Sequence, residues 1–385
     1  MEKELLNDEA LKRLRGLPRF RNTRLKSLLR RARFFAGILR CRAFGRVKPL
    51  FVVLVTNNDC NLHCTYCYGK YGERTPEKNY STGELVDIID RLWALGTKNL
   101  TLHGGESLLR PDIGEIINYA KLKGFYVSLN TNGTLVPAKV HEIRSVDAVC
   151  ISLDGGESAH DSIRGKGSYR VAMKAIKVVR DHYIPLSVHA TLTRHNVAEI
   201  KSLVSLAQHE GFRVQFSILY KRGDLLDADI LSDQEVRDCI RTILKLKEEG
   251  YPVYYSTRTL NAVLSWPFPI DTKAMIRGEE SNRLGGPLSP DLIECFHGTL
   301  KYVIDADGRV VTCWGHDDAG APNIRTVGLE NAFKECRERK TCKYCCFLAN
   351  NEHNVMFSLN LGALLGQARL QVQDSLKISN RSSAK

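Results

Sequence analysis

The chain has 385 residues, enough for one large domain and a smaller one. Hydrophobic residues make up 43% of it and charged residues 26%, a composition typical of folded globular proteins that argues against disorder and fibrous structure. The longest strand-like apolar run, Phe51 to Val55, is far shorter than a membrane span, and the amino terminus lacks a signal-peptide pattern. We therefore expect a cytoplasmic protein.

Basic charge is concentrated at the amino terminus. The net charge is +13, and residues 1–49 hold 15 Lys and Arg against four acids, a local balance of +11. The rest of the chain is nearly neutral, so a nucleic-acid partner is not expected, because such proteins normally place a basic face on the folded domain itself.

The basic arm also carries an amphipathic pattern. Seven apolar residues recur at helical spacing with arginines largely opposite them: Leu25, Leu28, Leu29, Ala32, Phe35, Ala36 and Leu39. This pattern predicts either an interfacial helix, peripheral on an anionic membrane, or a helix that packs its apolar stripe across the rest of the protein and shows its charges to water.

Short β-type runs alternate with helical patterns between residues 51 and 220. The predicted strands are Phe51–Thr56, Leu100–His103, Tyr126–Asn130, Ala148–Leu153, Leu186–Leu192 and Val214–Leu219. The predicted helices are Thr82–Ala94, Asp112–Lys123, Tyr169–Asp181 and Val197–Glu210. The alternation predicts an α/β fold of parallel strands that close partly or wholly into a barrel.

The pattern changes beyond residue 220. Helices are predicted near Ser232–Glu249 and Thr257–Leu264, and the turn-rich stretch Trp266–Pro290 is the predicted domain boundary. A β-hairpin is predicted for Leu300–Asp305 and Arg309–Trp314, because an Asp-Gly dipeptide between β-rich runs is a strong turn signal. The predicted domains are a basic arm (1–49), a barrel (50–220), a helical connector (221–292), a small cysteine-containing domain (293–360) and a tail (361–385).

Twelve cysteines in a chain without an export signal favour metal ligation over disulfides, because the cytosol keeps thiols reduced. Cys41, Cys150 and Cys239 stand alone and are expected to be ordinary buried small residues. The other nine form three groups: Cys60, Cys64 and Cys67; Cys295 and Cys313; and Cys336, Cys342, Cys345 and Cys346.

The first group lies on one loop directly after the first predicted strand, with the spacing Cys60-x3-Cys64-x2-Cys67. That position is the carboxyl end of the sheet, where α/β barrels place their chemistry. Structural zinc takes four ligands, whereas a [4Fe–4S] cluster held by three thiolates leaves one iron open to a small molecule. His63 is able to complete a zinc site, so zinc is the alternative.

This spacing, with Tyr66 just before the third cysteine, resembles the signature of the radical S-adenosylmethionine (SAM) superfamily. The segment His103-Gly104-Gly105-Glu106, after the second strand, resembles the GGE motif of that family, which binds the SAM amino group. For His103, a contact with the substrate and a purely space-filling structural role both stay open.

The ends of the third and fourth strands carry further matches to the same family. Asn130-Thr-Asn132-Gly follows the third strand and Ser152-Leu-Asp154-Gly the fourth. The resemblance implies that Ser152 and Arg164 contact the ribose or carboxylate region of SAM, and an arginine fork suits a carboxylate. A surface salt bridge is the alternative for Arg164.

The resemblance implies a partial (β/α)6 TIM-like barrel, a [4Fe–4S] cluster, SAM, and an electron donor such as flavodoxin or ferredoxin. The implied reaction is reductive cleavage of SAM to methionine and a 5′-deoxyadenosyl radical. That radical takes a hydrogen atom from an unactivated C–H bond of the substrate, while the protein orients the reactants and excludes water and oxygen.

The later cysteines resemble the auxiliary-cluster domain of some radical SAM enzymes, in the shortened "twitch" form of the SPASM domain. The resemblance implies a second [4Fe–4S] cluster, on a hairpin, a cysteine-rich loop and a helix, with four ligands: Cys295, Cys313, Cys342 and Cys345. Zinc on the same cysteines is the alternative. Cys336 and Cys346 are spare, and either can substitute as a ligand. A fully ligated cluster points to electron transfer or structural support.

The substrate stays open. A lipid or isoprenoid-like molecule suits the amino-terminal helix and is the first hypothesis. The alternatives are cross-linking or oxidation of a peptide, dehydrogenation of a sugar-like molecule, and a zinc-binding module without catalytic activity.

Overall fold

The computed structural model describes residues 9–67, 69, 79–220, 229–278, 280, 289–313 and 320–359. The strands are β1 (Phe51–Val55), β2 (Asn99–His103), β3 (Tyr126–Thr131), β4 (Ala148–Ser152), β5 (Leu186–Leu192), β6 (Arg213–Ile218), β7 (Met275–Arg277), β8 (Lys301–Ile304), β9 (Val310–Val311) and β10 (Cys342–Cys345).

The helices alternate with the first six strands and continue beyond them. They are α1 (Glu9–Arg15), α2 (Arg24–Ala43), α3 (Thr82–Leu95), α4 (Ile113–Lys123), α5 (Val136–Ile143), α6 (Glu157–Arg164), α7 (Ser168–Asp181), α8 (Ile200–Glu210), α9 (Asp233–Glu248), α10 (Thr257–Leu264), α11 (Ile324–Val327), α12 (Leu329–Glu338) and α13 (Leu348–Phe357). Short 3₁₀ turns precede α4 and α8. No helix in these ranges is both long and apolar enough to cross a membrane.

The sheet has the order β6-β5-β4-β3-β2-β1-β8-β9. Strands β1 to β6 are parallel to their neighbours, β8 is parallel to β1, and β9 returns antiparallel to β8. In the part of the chain that the structure describes, β6 and β9 are not paired, so the sheet is open rather than closed. The predicted α/β fold with a partial barrel is confirmed.

The two faces of the sheet differ in chemistry. Outward side chains of β2 to β6 are apolar and buried under the helices, as Leu100 and Leu102 of β2 are. Inward side chains are mostly polar and line a cavity, as Asn99, Thr101 and His103 of the same strand do. Strand β1 is the exception, because its inward residues are Phe51, Val53 and Val55.

Two helices cover the inner face of the sheet at β1. Phe34 and Ile38 of α2 pack in one buried cluster with inward residues of β1 and with Phe357 of α13. Helix α13 also packs against β6 and α10, so it spans the opening between the first and sixth strands. The amino-terminal arm is therefore part of the barrel's core.

A buried charge network anchors the arm to the sheet. The Asp147 carboxylate accepts hydrogen bonds from Arg30 Nη2 at 2.9 Å and from the Val127 amide at 2.8 Å, and it pairs with Lys121. The Phe20 ring covers both cations, 5.2 Å from the Arg30 guanidinium carbon and 5.2 Å from Lys121 Nζ.

Of the two alternatives for the arm, the one that packs the predicted apolar stripe inward is wrong, and the interfacial one stays a prediction. Helix α2 buries Arg30, Phe34, Ile38 and Cys41, whereas most of the predicted stripe stays exposed, with Leu25 67% accessible. The buried residues recur every three or four positions on a second face of the helix, which is apolar apart from Arg30. The helix therefore has two faces that are apolar enough to pack inward, and the one with Phe34 does so.

Two further features differ from the expectations beyond residue 220. The predicted hairpin forms as β8 and β9, but β8 extends the barrel sheet beside β1. The expected cysteine-rich loop at residues 342–345 is the strand β10, which pairs antiparallel with β7 inside the predicted boundary stretch Trp266–Pro290. Strand β8 thus joins the predicted cysteine-containing domain to the barrel, and β10 joins it to the predicted connector. The domain boundaries stay a prediction.

Candidate active site

The first cysteine group lies on the loop that leaves the carboxyl end of β1. Cys60, Cys64 and Cys67 are half-buried, and Cys60 and Cys67 pack against the apolar cluster of β1 and α2. The loop is held by a hydrogen bond from the Thr65 amide to the Ile163 carbonyl at 3.1 Å, and the Cys67 amide donates to Cys64 at 3.0 Å. The three thiols therefore share one short turn beside α6.

A buried ion pair lies directly behind the loop. Arg164 Nε donates to Asp154 Oδ2 at 2.5 Å, and Arg164 Nη2 donates to the Tyr66 hydroxyl at 2.5 Å. The Tyr66 hydroxyl lies 2.8 Å from both Asp154 oxygens. Arg164 Nη1 donates to Cys64 Sγ at 3.6 Å. The alternative given for Arg164, a surface salt bridge, is wrong, because its partner is a fully buried carboxylate.

The charge of Asp154 is stabilised in this environment. Burial raises its pKa, but the Arg164 charge, the Arg164 hydrogen bond and the Thr191 amide at 2.9 Å outweigh burial, so the pKa is lowered overall. The three donating nitrogens of Arg164 are all engaged, so pairing with a SAM carboxylate, which the sequence suggests, requires exchange of one of these contacts.

The Gly-Gly-Glu segment follows β2 and lies against the residues that precede the cysteines. A Cβ atom on Gly104 would lie 2.3 Å from Asn57 Oδ1, so only glycine fits there. The Gly105 amide donates to the Asn57 carbonyl at 3.2 Å, and the Glu106 amide donates to the Asp59 carbonyl at 2.7 Å. This segment is therefore fixed to the start of the cysteine loop.

The Glu106 side chain points into the protein. Its carboxylate accepts hydrogen bonds from the Leu108 amide at 3.0 Å, the Thr131 hydroxyl at 2.9 Å and the Asn132 amide at 2.7 Å. Burial is the dominant influence and raises the Glu106 pKa. The glutamate thus ties the ends of β2 and β3 together, and the backbone of the segment is what faces the cavity.

The other SAM-motif residues lie around the same opening. Asn132 Nδ2 lies 3.9 Å from Cys60 Sγ and 2.8 Å from Asn61 Oδ1. Asn130 and Ser152, at the ends of β3 and β4, line the cavity beside Gly104. Every SAM-contact residue predicted from the motifs is therefore brought to one end of the barrel, although the contacts with SAM stay a prediction.

The donor set suits an iron–sulfur cluster chemically. Three soft thiols share one loop, and Arg164 and Asn132 point N–H groups at two of the sulfur atoms, the kind of hydrogen bond that tunes cluster potentials. Within the described ranges, no three Cys, His, Asp or Glu side chains already have the arrangement of a metal site. Cluster ligation by Cys60, Cys64 and Cys67 stays a prediction.

The cysteine loop opens into a cavity of about 1540 Å³ that runs the length of the strands. Sequence analysis missed most of its walls, although most inward residues of β2, β3, β5 and β6 are polar. His189 Nε2 lies 2.8 Å from Ser217 Oγ, and Gln215 Nε2 donates to Ser187 Oγ at 2.9 Å. Burial lowers the His189 pKa to about 4, so this imidazole is neutral at pH 7.

The second cysteine set is gathered where the chain that precedes β8 meets β10, because the Cys295 amide donates to the Lys343 carbonyl at 2.9 Å. Cys295, Cys313, Cys342 and Cys345 are buried. Cys295 is hydrogen bonded to Cys342, and Cys313 and Cys345 lie close enough to affect the charge of these thiols. Helix α13 supports the set, because Asn351 Nδ2 donates to the Cys345 carbonyl at 2.8 Å. The four buried thiols are thus brought into one region, and cluster ligation by them stays a prediction.

The remaining cysteines point elsewhere. Cys346 Sγ donates to the Ala274 carbonyl at 3.4 Å, and Cys336 packs in the main apolar core. Cys41 and Cys239 are buried in apolar surroundings, in line with the expectation for lone cysteines. Cys150 differs from that expectation, because it is half-buried on the inner face of β4 and lines the cavity.

Comparisons with known proteins agree with this geometry. The family model described as the radical SAM superfamily matches residues 54–207. The chain is 34% identical over 320 residues to the AdoMet-dependent heme synthase of Methanosarcina barkeri, which covers 77% of this chain and 87% of that protein. It is 32% identical over 320 residues to the mycofactocin maturase MftC of Mycolicibacterium smegmatis, covering 78% and 76%.

The fold has a solved counterpart. The structure of anSMEcpe with bound AdoMet, another name for SAM, matches with a TM-score of 0.55 at 17% identity and covers 75% of this chain and 82% of that one. The fold and site thus define an enzyme that uses SAM and a [4Fe–4S] cluster. The chain belongs to the radical SAM superfamily.

Proposed function

We propose that this enzyme cleaves SAM reductively at the Cys60, Cys64 and Cys67 loop and abstracts a hydrogen atom from a C–H bond of a carboxylate-bearing substrate in the barrel cavity. The supporting observation is the continuity of that loop with a long cavity whose lining combines apolar surface with more basic than acidic side chains. A cluster bound at the loop supplies one electron to SAM, and its electron comes from a carrier such as flavodoxin or ferredoxin.

The charge of the cavity supports an anionic substrate. Of the described residues that line it, six are Lys or Arg and three are Asp or Glu. Two of those three carboxylates are held by protein donors, Asp147 by the arm network and Glu352 by Ser256 and Thr259, with the Thr259 hydroxyl at 2.7 Å. Two of the six cations are also paired, Arg164 with Asp154 and Arg180 with Glu210. The other lining charges are still four cations against Asp271 alone, a balance that supports a carboxylate-bearing substrate.

Arg31 and Arg213 lie at the opposite end of the barrel from the cysteine loop, whereas Arg164 lies beside that loop. Arg31 of α2 donates to the Tyr126 hydroxyl at 3.0 Å, at the start of β3, and Arg213 is the first residue of β6. Strands of this length separate the two ends by roughly 15 Å at about 3.3 Å per residue. A substrate of that span places its carboxylates on the arginines and a C–H bond near the SAM site.

A tetrapyrrole with carboxylate side chains meets these requirements, and the heme synthase relative supports that choice. A peptide is the alternative substrate, supported by the name of the maturase relative. A carboxylate-bearing tetrapyrrole also has a large apolar ring. It therefore agrees with the expectation, based on the amino-terminal helix, that the substrate is partly apolar.

The test is anaerobic incubation of the reconstituted enzyme with SAM, dithionite and iron coproporphyrin III deuterated on its propionate side chains. We expect deuterium in the 5′-deoxyadenosine formed, and at least tenfold weaker porphyrin binding by Arg31→Gln. Arg33→Gln, on the exposed side of the same helix, is the control and should bind normally. Unlabelled 5′-deoxyadenosine and no porphyrin binding would contradict the tetrapyrrole and leave the peptide as the candidate.

A membrane-associated enzyme is a second proposal, supported by the exposed side of α2. Leu28 is 54% exposed, Leu29 49% and Leu39 57%, and Leu28 also lines the cavity mouth. Basic residues beside an anionic leaflet contribute on the order of 1 kcal/mol each. Phe34 and Ile38 are core residues, so deletion of the arm would disturb the fold, and the test uses substitutions instead. The variant combines Leu25→Gln, Leu28→Gln and Leu29→Gln. It should no longer sediment with phosphatidylglycerol vesicles.

A further inference from the structure

Lys301 is a buried lysine on the wall of the barrel cavity. It is the first residue of β8 and only 6% exposed. The register of the parallel pair β1 and β8 places it beside Phe51, an inward residue of β1, so both side chains face the inside of the barrel. The Lys301 Nζ atom lies 5.2 Å from the centroid of the Phe51 ring, and both residues line the cavity. The ammonium therefore lies on the inner face of the sheet, where the proposed substrate binds.

The Lys301 ammonium contacts no negative group of the described residues. Its contacts there are with the Phe51 ring and with His353 of α13, whose Nδ1 atom lies 3.0 Å from Nζ. An imidazole is neutral or positively charged, so it cannot neutralise a lysine. Glu352, the neighbour of His353 in sequence, accepts a hydrogen bond from the Thr259 hydroxyl at 2.7 Å instead. Because burying an unpaired charge is costly, the position suits an anionic group supplied by a ligand.

Two planar rings border the same ammonium. The centroids of the Phe51 and His353 rings lie 4.9 Å apart, and His353 also lines the cavity. The wall thus combines a cation with two ring surfaces. A carboxylate attached to a flat apolar ring system matches both parts, because the acid pairs with the ammonium while the ring system packs on Phe51 and His353.

We propose that Lys301, Phe51 and His353 form a subsite that binds one carboxylate side chain of the tetrapyrrole. This inference rests on the proposed function and adds a third cation to Arg31 and Arg213. The three cations lie near the first residues of β8, β3 and β6, at the end of the barrel away from the cysteine loop. Cations spaced around one end of the cavity bind several acid groups of a single molecule. The subsite therefore selects a substrate with several carboxylates over one with a single carboxylate.

The experiment measures binding of iron coproporphyrin III to the anaerobic, reconstituted enzyme from the change in porphyrin absorbance. Lys301→Met should bind at least about tenfold more weakly, because it loses a charge-assisted hydrogen bond. Lys301→Arg keeps the charge and should retain most of the affinity. Lys98→Met is the matched control and should bind normally, because Lys98 lies over the Trp93 ring at 4.1 Å and does not line the cavity.

Two further measurements separate carboxylate binding from a structural role of Lys301. The tetramethyl ester of iron coproporphyrin III has no carboxylates, so wild type and Lys301→Met should bind it equally. Without porphyrin, Lys301→Met should resist urea at least as well as wild type, because the substitution removes a buried charge that has no counter-charge.

The outcomes distinguish this subsite from the proposed function. Wild-type affinity of Lys301→Met for the acid, or an equal loss of affinity for the acid and the ester, would overturn the subsite and leave the tetrapyrrole in place. A clear loss of stability in Lys301→Met would overturn it as well, because the ammonium would then have a counter-charge within the protein. No porphyrin binding by wild type would overturn the tetrapyrrole and the subsite together.

Discussion

Arg164 donates a hydrogen bond to the sulfur of Cys64 at 3.6 Å, from the last residue of a helix that begins 93 residues after that cysteine. Its other nitrogens are held by Asp154 and Tyr66, so the ion pair fixes the direction of the guanidinium. The middle cysteine of the loop is thus oriented by a buried charge and not by its own turn alone.

Asp154→Asn should strongly destabilise the protein and weaken SAM binding, because it leaves Arg164 buried without its counter-charge. Removing one partner of a buried pair costs about 3–5 kcal/mol. Urea unfolding of the anaerobic protein measures this loss. Glu157→Gln, which removes the exposed pair with Arg170, is the matched control and should cost less than about 1 kcal/mol. Equal losses in both variants would contradict a special role for Asp154.

The ionisation of Asp154 should also make the stability of the folded protein depend on pH. The pKa of Asp154 is lowered in the folded state, because Arg164 and its other donors outweigh burial. The ionised Asp154 therefore contributes fully to the free energy of unfolding above the unfolded-state pKa of about 3.9. That contribution is lost as the pH falls through the lower pKa of the folded state. Stability measured from pH 7 to pH 2 should fall more steeply for wild type than for Asp154→Asn.

Asp147→Asn should release α2 from the sheet. The substitution leaves Arg30 and Lys121 buried with a neutral partner, and a loss of about 3–5 kcal/mol is expected. Hydrogen exchange should show increased opening of residues 24–43 before the rest of the barrel. Asp181→Asn, in the exposed pair with Lys177, is the control and should leave exchange unchanged.

His189→Asn should separate SAM cleavage from product formation. The imidazole is neutral at pH 7 and faces the cavity, so its loss removes a polar contact in the proposed substrate site. At least tenfold less product per 5′-deoxyadenosine is expected. His195→Gln, at an exposed position, should keep the wild-type ratio. A normal ratio in His189→Asn would place the substrate elsewhere.

We expect the cysteines to divide into two cluster-binding sets and a remainder that binds no iron. Wild-type protein should hold about eight irons from two cubes. Cys345→Ala should remove about four, whereas Cys336→Ala should remove none because Cys336 packs in the apolar core. Iron and sulfide analysis after reconstitution measures both. Loss of iron in the Cys336 variant would reassign the ligand set.

The motifs and the parallel arrangement of the first six strands could be predicted because they depend on local pattern. Polar residues follow each parallel strand, and parallel strands bring those residues to one edge. The position of β8 beside β1 could not be predicted in this way. The Asp147 network could not, since Arg30 and Asp147 are 117 positions apart and a lone charge gives no local signal. The alternative in which the arm packs its predicted stripe inward is wrong for another reason. Helix α2 has two apolar faces, and only the shape of the barrel selects the one with Phe34.

The central claim is SAM cleavage at the first cysteine loop. Anaerobic incubation of reconstituted protein with SAM and dithionite should produce 5′-deoxyadenosine, detected by mass spectrometry. The variant with Cys60, Cys64 and Cys67 replaced by Ala should produce none while keeping its second cluster. Zinc at this loop, or equal 5′-deoxyadenosine from the variant, would contradict the account.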